Sequence, residues 1–208
     1  MSLFLDAAKR WESLLNISYT FIIGHKKNTE TIRLFFRRID FDHLSGIHKA
    51  NDIDFKLSRK VYRGEKLINA LLSGKLDDKL IEKSIYWNQI SDRLIDINRL
   101  ERILDSDFRI YQFNPRKLNF HSDIRANYLI FSEQYQTGIF LFIDKDQDTD
   151  YCKYIFSKDD RDYTINQTKW TVLKKIKRHE DTEEVLFLNE SYREQESQEE
   201  IAESFDST

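Results

Sequence analysis

The hydrophobic periodicity changes partway along the chain, and this change constrains the fold more than any other feature. Up to about residue 105, apolar residues recur mainly at the three- and four-residue spacing of amphipathic helices. From about residue 108 onward, short runs such as Ala126–Phe131 alternate between two faces, as strands do. Helices that precede a set of neighbouring strands are typical of an α+β fold with a mostly antiparallel sheet.

The first half is predicted to contain a helix, a hairpin and a helical middle. Residues 2–16 place their apolar side chains on one helical stripe. The β-rich runs Tyr19–Ile23 and Thr31–Arg38 flank a turn-like segment, which predicts a hairpin. Helical spacing and stop signals then predict helices over Ser58–Leu72 and Asp77–Asp105.

The second half is predicted to form a C-terminal antiparallel β-meander. Its strands are Phe108–Phe113, Ala126–Phe131, Gly138–Ile143, Tyr151–Phe156 and Trp170–Ile176, with Val185–Leu188 as a further edge strand. Short turn segments between several of these runs favour pairing between neighbours. Only five glycines and one proline occur in the chain, and no repeat or linker interrupts residues 1–180. We therefore expect one continuous domain over residues 1–180.

Charge is divided unevenly between this domain and the end of the chain. Residues 181–208 hold ten acidic residues and one basic residue, whereas residues 1–180 hold 32 basic and 26 acidic residues. The mildly basic domain fits a polyanionic partner such as RNA. Because blocks of like charge usually stay solvated, residues 181–208 are predicted to be an acidic, largely disordered tail. The alternative is a tail that masks a basic groove.

Composition also argues against a membrane or secreted protein. No apolar run approaches the ~20 residues needed to span a bilayer, and the first residues lack the pattern of a signal peptide. The single cysteine, Cys152, excludes an internal disulfide framework and suits a reducing cytosol. We therefore expect a cytoplasmic protein with no membrane partner.

The common motifs of metal and cofactor chemistry are missing from the sequence. It has no phosphate-binding loop, dinucleotide-binding fingerprint or Gly-x-Ser-x-Gly motif. His43, His48, His121 and Cys152 do not have a recognised zinc spacing. The acidic run Asp144–Asp150 alternates like a calcium loop but lacks the glycine and glutamate that such a loop requires. Neither a metal nor another cofactor is therefore expected.

Several stretches in a fixed order form one recognisable pattern. They are Ile32–Phe36 leading into F-D-H-L-S-G-I at Phe41–Ile47, then Leu72–Leu76 with Ile81–Ser84 and Ile90–Leu94, then Tyr128–Phe131 with Gly138–Ile143, and finally Tyr163–Gln167 with Val172–Leu173. Over roughly residues 1–178, this pattern resembles the fourth phage-associated group of barnase–EndoU–colicin–RelE-like (BECR) nucleases. The resemblance implies a BECR-like fold, a nuclease activity and an origin in a phage or another mobile element.

Cleavage of RNA without a metal needs few side chains. A base takes the 2′-OH proton, an acid protonates the leaving 5′-oxygen, and cations stabilise the charged phosphorane. Histidine suits the first two roles because its pKa lies near neutrality. With the resemblance, this makes His43 the first catalytic candidate, held at a predicted strand end just before a Ser-Gly turn, with His48 and Lys49 close behind it. The structural alternative for His43 is a turn cap.

Other candidates lie farther along the chain. Arg125, at the mouth of a predicted strand, is a candidate phosphate clamp, although an ordinary surface charge is the favoured interpretation of this residue. Tyr154 stands where members of the family carry a small hydroxyl residue, so it either supplies the hydroxyl or marks a lost activity. Arg33 and Arg37, interleaved with aromatic residues on a predicted strand, are substrate-binding candidates, although the alternation of a half-buried strand explains them equally well. Tyr128 and Lys153 are further substrate-binding candidates. We expect His43, Lys49 and Arg125 to converge on one concave surface.

The sequence leaves three possible functions open. The first is a metal-independent endoribonuclease of toxin or phage-defence type, with RNA as substrate and an antitoxin or immunity protein as a further partner. The second is a catalytically decayed module that binds RNA or protein, which Tyr154 favours. The third is a structural component of a phage or conjugative element, which a large exposed apolar patch would support.

Overall fold

The computed structural model describes residues 2–53, 62–135, 137–146 and 149–194. Helices α1–α4 span Leu3–Leu14, Asp40–Ser45, Glu65–Leu72 and Trp87–Asp105. Strands β1–β8 span Ile17–His25, Asn28–Phe35, Arg109–Gln112, Tyr128–Ser132, Ile139–Asp146, Thr149–Ser157, Thr168–His179 and Thr182–Leu188. Short 3₁₀ helices span Ile47–Lys49, Asp78–Lys83 and Pro115–Lys117. The predicted α+β class and the N-terminal helix are confirmed.

The strands form a closed barrel. Within the described residues, eight strands join in the order β1-β2-β6-β5-β4-β3-β7-β8, and a further β1–β7 pairing closes seven of them into a ring. The predicted hairpin is β1–β2, and the predicted meander is β3–β6. Closure was not predicted, because it depends on strands at opposite ends of the chain, with Ile17 paired to His179.

Alternating side chains give the barrel wall two buried faces. Ile130 and Ile155 point into the main core, which also contains Trp11 of helix α1. Leu129 and Phe142 point to the opposite face and form a second, largely aromatic cluster. The period-two alternation of the sequence thus fills two separate cores from the same strands.

Strand β6 pairs with β2 over only a short length, and the rest of this strand edge positions the candidate site. Its parallel pairing with β2 includes only Leu34–Asp150 and Phe35–Tyr151. Beyond Tyr151, helices α2 and α4 pack against β6. A strand edge covered by two helices brings side chains from three parts of the chain together.

Several predicted boundaries differ from the observed ones. The Ser58 end of the first middle helix lies outside the described residues, and α3 begins at Glu65. Phe41–Asp54 has no clean period in the sequence, which predicts a loop with room for one helical turn, and its described residues contain most of α2 and a 3₁₀ turn. The sheet continues beyond residue 180, because six of the seven residues of β8 pair with β7, the exception being Leu186 at a bulge. The division into a domain and an acidic tail stays a prediction. Within the described chain, no helix combines the length and apolar character needed to cross a membrane.

Candidate active site

His43 lies on helix α2 rather than at the end of a strand. The helix ends at Gly46, which adopts the left-handed conformation with φ 73° and ψ 12°. Phe41 and Leu44 anchor the helix in the main core, and His43 lines an adjoining cavity. The strand prediction was wrong because a six-residue helix is too short to show a period in the sequence.

Two histidine rings stack beside a tyrosine. The 3₁₀ helix that follows Gly46 brings His48 back toward His43, and their ring centroids are 5.6 Å apart with an interplanar angle of 7°. Tyr154 of β6 contacts the same His43 ring, edge to face, at 5.1 Å. Of these three sequence candidates, His43 contacts both of the others. The cavity that the histidines line has a volume of about 680 Å³ and is called the histidine cavity below.

Arg93 of helix α4 passes directly over Gly46. A Cβ atom at Gly46 would lie 2.7 Å from Cδ of Arg93, so both the backbone conformation and this side chain require glycine there. The guanidinium of Arg93 is partly buried, and no hydrogen bond or ion pair joins it to any described residue. A desolvated cation without a partner is costly, which makes an anionic ligand the natural partner.

Burial and Arg93 together set the electrostatics of the site. The pKa of His43 is lowered, first by burial and then by the charge of Arg93. The pKa of His48 is lowered first by burial, then by His43 and then by Arg93. The pKa of Lys49 is lowered in the same way, by burial and by Arg93. Both histidines therefore favour the neutral form more than a free imidazole does, and the proximity of the two rings disfavours a proton on both at once.

A second cavity lies beside this group. It has a volume of about 480 Å³, includes Lys49 and Arg93 in its wall, and is called the aromatic cavity because Phe156 and Tyr163 line it. The Nζ of Lys49 donates a hydrogen bond to Oε1 of Gln89 at 2.8 Å. Lys49 and Arg93 thus connect the histidine pair to the second cavity.

Arg125 has a different position. It is exposed, and it belongs to the lining of neither the histidine cavity nor the aromatic cavity. Its neighbour Ile124 lines the aromatic cavity, which places Arg125 at that end of the site. Its convergence with His43 and Lys49 stays a prediction.

The two basic candidates on the β2 side are held apart from the cavities. Arg33 is exposed on β2. Arg37 forms ion pairs with Asp40 and Asp146, both at 2.8 Å, and its guanidinium lies 3.9 Å from the ring centroid of Tyr151. These contacts give Arg37 a structural role in joining β2, α2 and the β5–β6 hairpin.

Tyr128 and Lys153 also have structural partners. Tyr128 is only 2% exposed, and its hydroxyl donates a hydrogen bond to the carboxylate of Glu30. Lys153 forms an ion pair with Asp144. Burial lowers the pKa of Lys153, but the hydrogen bond and the charge of Asp144, together with the nearby tyrosines, raise this pKa by more in sum, so the net shift is upward. Neither residue lines the two cavities described above.

Three residues of the site were not among the sequence candidates. They are Arg93, Asp96 and Ser157. Asp96 is fully buried, and both of its oxygens accept from Oγ of Ser157, at 3.1 and 3.0 Å. Burial raises the pKa of Asp96 to about 6. The available signal was that two charged residues interrupt the apolar stripe of Ile90, Leu94 and Ile97.

The fold and the site together indicate a class of chemistry. An α+β barrel carries a stacked histidine pair and an arginine that no described residue pairs, groups suited to acid–base chemistry on an anionic substrate. Among the described residues, no group of three or more His, Cys, Asp or Glu is placed to hold a metal ion.

The family model described as phage-Barnase-EndoU-ColicinE5/D-RelE like nuclease4 matches residues 3–191. The chain therefore belongs to this family of phage-associated nucleases, which confirms the resemblance seen in the sequence. No curated protein and no solved structure matches the chain.

Proposed function

We propose that this protein is a metal-independent endoribonuclease of toxin or phage-defence type. It would cut RNA by attack of the 2′-OH on the adjacent phosphate and leave a 2′,3′-cyclic phosphate. The observation that carries the proposal is the stacked pair of His43 and His48 beside the unpaired Arg93. Membership of a nuclease family supports a nucleic-acid substrate.

The histidine pair supplies the base and the acid. His43 accepts the 2′-OH proton as the bond between O2′ and phosphorus forms, and His48 gives a proton to O5′ as that bond breaks. Two stacked imidazoles disfavour double protonation, because each cation lowers the pKa of the other. The pair therefore holds a single proton over an interval of pH, and its apparent pKa values belong to the pair.

The cations stabilise the negative charge of the transition state. Arg93 lacks an ion-pair partner among the described residues, so its charge is available to a phosphate oxygen. Lys49, next to His48, adds a second donor. Tyr154 fixes the His43 ring by its edge contact and supplies the hydroxyl at this point of the strand. Arg125 extends the phosphate contacts past Ile124.

The test is cleavage of RNA by the purified full chain in the presence of EDTA. We expect a product with a 2′,3′-cyclic phosphate end, identified by mass spectrometry, and no cut at a nucleotide whose 2′-OH is replaced by hydrogen. His43→Ala should abolish the cut. His121→Ala is the matched control, because His121 is 88% exposed and pairs only with Asp123 at the surface.

Growth of a bacterial host tests the toxin or defence role. Induction of the wild-type gene should arrest growth, and induction of His43→Ala should not. Relief of the arrest by a co-expressed protein would identify the proposed antitoxin or immunity partner. Binding of RNA without any cleavage would contradict the enzymatic proposal and favour a decayed binding module.

A further inference from the structure

The acid–base chemistry proposed above leaves the aromatic cavity without a role. One wall of this cavity is apolar, with Ile124, Phe156 and Tyr163. Another part of the wall is polar, with Asp96 and Ser157. Lys49 and Arg93 line the cavity as well, so a group bound there lies next to the proposed phosphate site. An apolar slot with a few placed polar groups is typical of a small-molecule subsite.

We propose that the aromatic cavity is the subsite for one unpaired nucleobase of the RNA, which stacks on Phe156 and donates an N–H to Ser157. This inference rests on the proposed function, because it names how the same site holds its substrate. It assigns Phe156 and Ser157 as base-contacting residues and Asp96 as the residue that positions Ser157.

Two aromatic neighbours fix the position of the Phe156 ring. It stacks on Phe142 at 5.5 Å with an interplanar angle of 26°, and it contacts the edge of Tyr163 at 5.5 Å. Phe156 remains partly exposed and lines the cavity. A fixed, partly exposed aromatic ring is the usual platform for an unpaired base, because every base presents a π-face.

Asp96 fixes the direction of the Ser157 hydroxyl. The one hydrogen of Oγ is directed at the Asp96 carboxylate, at 3.1 and 3.0 Å from its two oxygens. The lone pairs of Oγ are then left to accept a hydrogen bond. Since Asp96 is itself fully buried, Ser157 is the group that meets a ligand. The cavity should therefore favour a base whose edge carries an N–H donor.

The charges of this cavity fit a base better than a phosphate. Asp92, Asp96 and Asp159 all line it. The guanidinium of Arg161 is already paired with Asp159 at 2.9 Å. A phosphate inside the cavity would meet the exposed carboxylates of Asp92 and Asp159 as well as the cations Lys49 and Arg93, whereas a neutral base avoids that repulsion.

The test measures binding of two nucleotides to the full chain by calorimetry. Adenosine 3′-monophosphate and purine riboside 3′-monophosphate differ only in the exocyclic amino group. Wild type should prefer the adenosine compound by about three- to tenfold, the range for one hydrogen bond. Ser157→Ala should remove this preference, and Ser157→Thr, which keeps a hydroxyl, should restore it.

Phe156→Leu tests the stacking platform. It keeps an apolar side chain against Phe142 but should weaken binding of both nucleotides by about tenfold, in the range of one lost stacking contact. Phe120→Leu is the matched control. Phe120 belongs to the same cluster and contacts Tyr163 at 5.1 Å, yet it does not line the cavity. It should bind like wild type.

Cleavage assays on the same variants separate the two proposals. If wild type binds the nucleotides with these variant effects but cuts no RNA, the subsite stands and the ribonuclease proposal fails. If the protein cuts RNA while Phe156→Leu and Ser157→Ala keep the KM and base preference of wild type, the subsite is overturned. Failure of wild type to bind either nucleotide overturns it as well.

Discussion

Two cations lie at helix α4, Lys175 buried and Arg93 partly buried, and they differ in their hydrogen-bond partners. Lys175 of β7 is only 4% exposed, and its Nζ donates to the carbonyl oxygens of Leu104, Asp105 and Ser106, at 3.1, 3.3 and 2.6 Å. It thereby satisfies the last carbonyls of the helix and complements the negative end of its dipole. Arg93, in the middle of the same helix, has no such partner among the described residues.

The difference separates a structural cation from a functional one. All three donors of the Lys175 ammonium are used inside the protein, so a ligand has nothing to gain from it. The charge of Asp96 acts on Arg93, but no described residue accepts a hydrogen bond from its five donors, which leaves them for an anion next to two histidines whose pKa values Arg93 helps to lower. Burial alone does not mark a functional charge, whereas burial without a partner does.

Loss of a histidine should have the largest effect on activity. His43→Ala removes the proposed base, and we expect kcat to fall by about 10²–10⁴-fold, the range for general acid–base catalysis. Thermal unfolding should change little, because the ring lines a cavity rather than the main core. A fall of less than tenfold, measured by single-turnover cleavage, would remove His43 from the mechanism.

Substitution of the two cations tests the comparison directly. Arg93→Gln should lower kcat by about 10²–10³-fold, as the loss of one oxyanion donor does, without loss of stability. Lys175→Met should lower the free energy of unfolding by about 1–3 kcal/mol, because three carbonyls lose their partner. Cleavage per folded molecule should stay unchanged in Lys175→Met. If denaturation assays showed a loss of stability in Arg93→Gln and cleavage assays showed a loss of kcat in Lys175→Met, the structural and functional assignments of the two cations would be reversed.

Asp96 extends the comparison to a buried acid. The pKa of Asp96 in the folded state, about 6, lies above the ordinary value of 3.8. Between pH 3.8 and about pH 6, the folded protein therefore binds more protons than the unfolded protein. Asp96 therefore lowers stability as pH rises through this window. Asp96→Asn should be more stable than wild type at pH 7, by at most ~3 kcal/mol, and equally stable at pH 4. Urea titrations at the two pH values measure this difference, and equal stability at pH 7 contradicts the assignment.

The sequence predicted local structure well and long-range closure poorly. The β1–β2 hairpin and the β3–β6 meander are formed by neighbours in the chain, so alternation and turn residues were sufficient. The β1–β7 pairing has no local signal, and neither does the parallel β2–β6 contact. Such pairings depend on which buried faces fit together in three dimensions.

The candidate site shows the same limit. His43 and His48 lie within one short segment, so the sequence could group them. Tyr154 was included because it departs from a family pattern. Arg93 and Asp96 were missed because charged residues on a helix usually face solvent, and the sequence does not show that strand β6 packs against this part of α4. Their burial depends on the packing of α4 against β6.

The pH dependence of cleavage offers a finer test of Arg93. The pKa of His43 is lowered by burial and then by Arg93, so the base stays neutral down to a pH below 6.5. Removal of the charge in Arg93→Gln should raise this pKa, and the acid limb of kcat/KM should move to higher pH. Arg161→Gln is the control, because Arg161 is paired with Asp159. An unchanged acid limb in Arg93→Gln would mean that the charge does not act on the base.

The smallest expected effect concerns the end of the chain. Residues 195–208 contain five acidic residues and no basic one, whereas residues 1–180 carry an excess of basic residues. If this segment competes with RNA, its deletion should strengthen RNA binding by about two- to fivefold, the scale of exposed ionic contacts. The gain should be largest at low salt, because the Debye length is about 8 Å at ~0.15 M.

A salt titration of RNA binding measures this gain for the full and shortened chains. Binding of the shortened chain should also fall more steeply with salt, since more phosphates then displace counterions. A matched chain with the five acidic residues changed to serine separates charge from length. If all three proteins bind with the same affinity and salt slope, the acidic segment does not compete for the basic surface. Arg93 and Lys49 would then be accessible to RNA whether or not this segment is present.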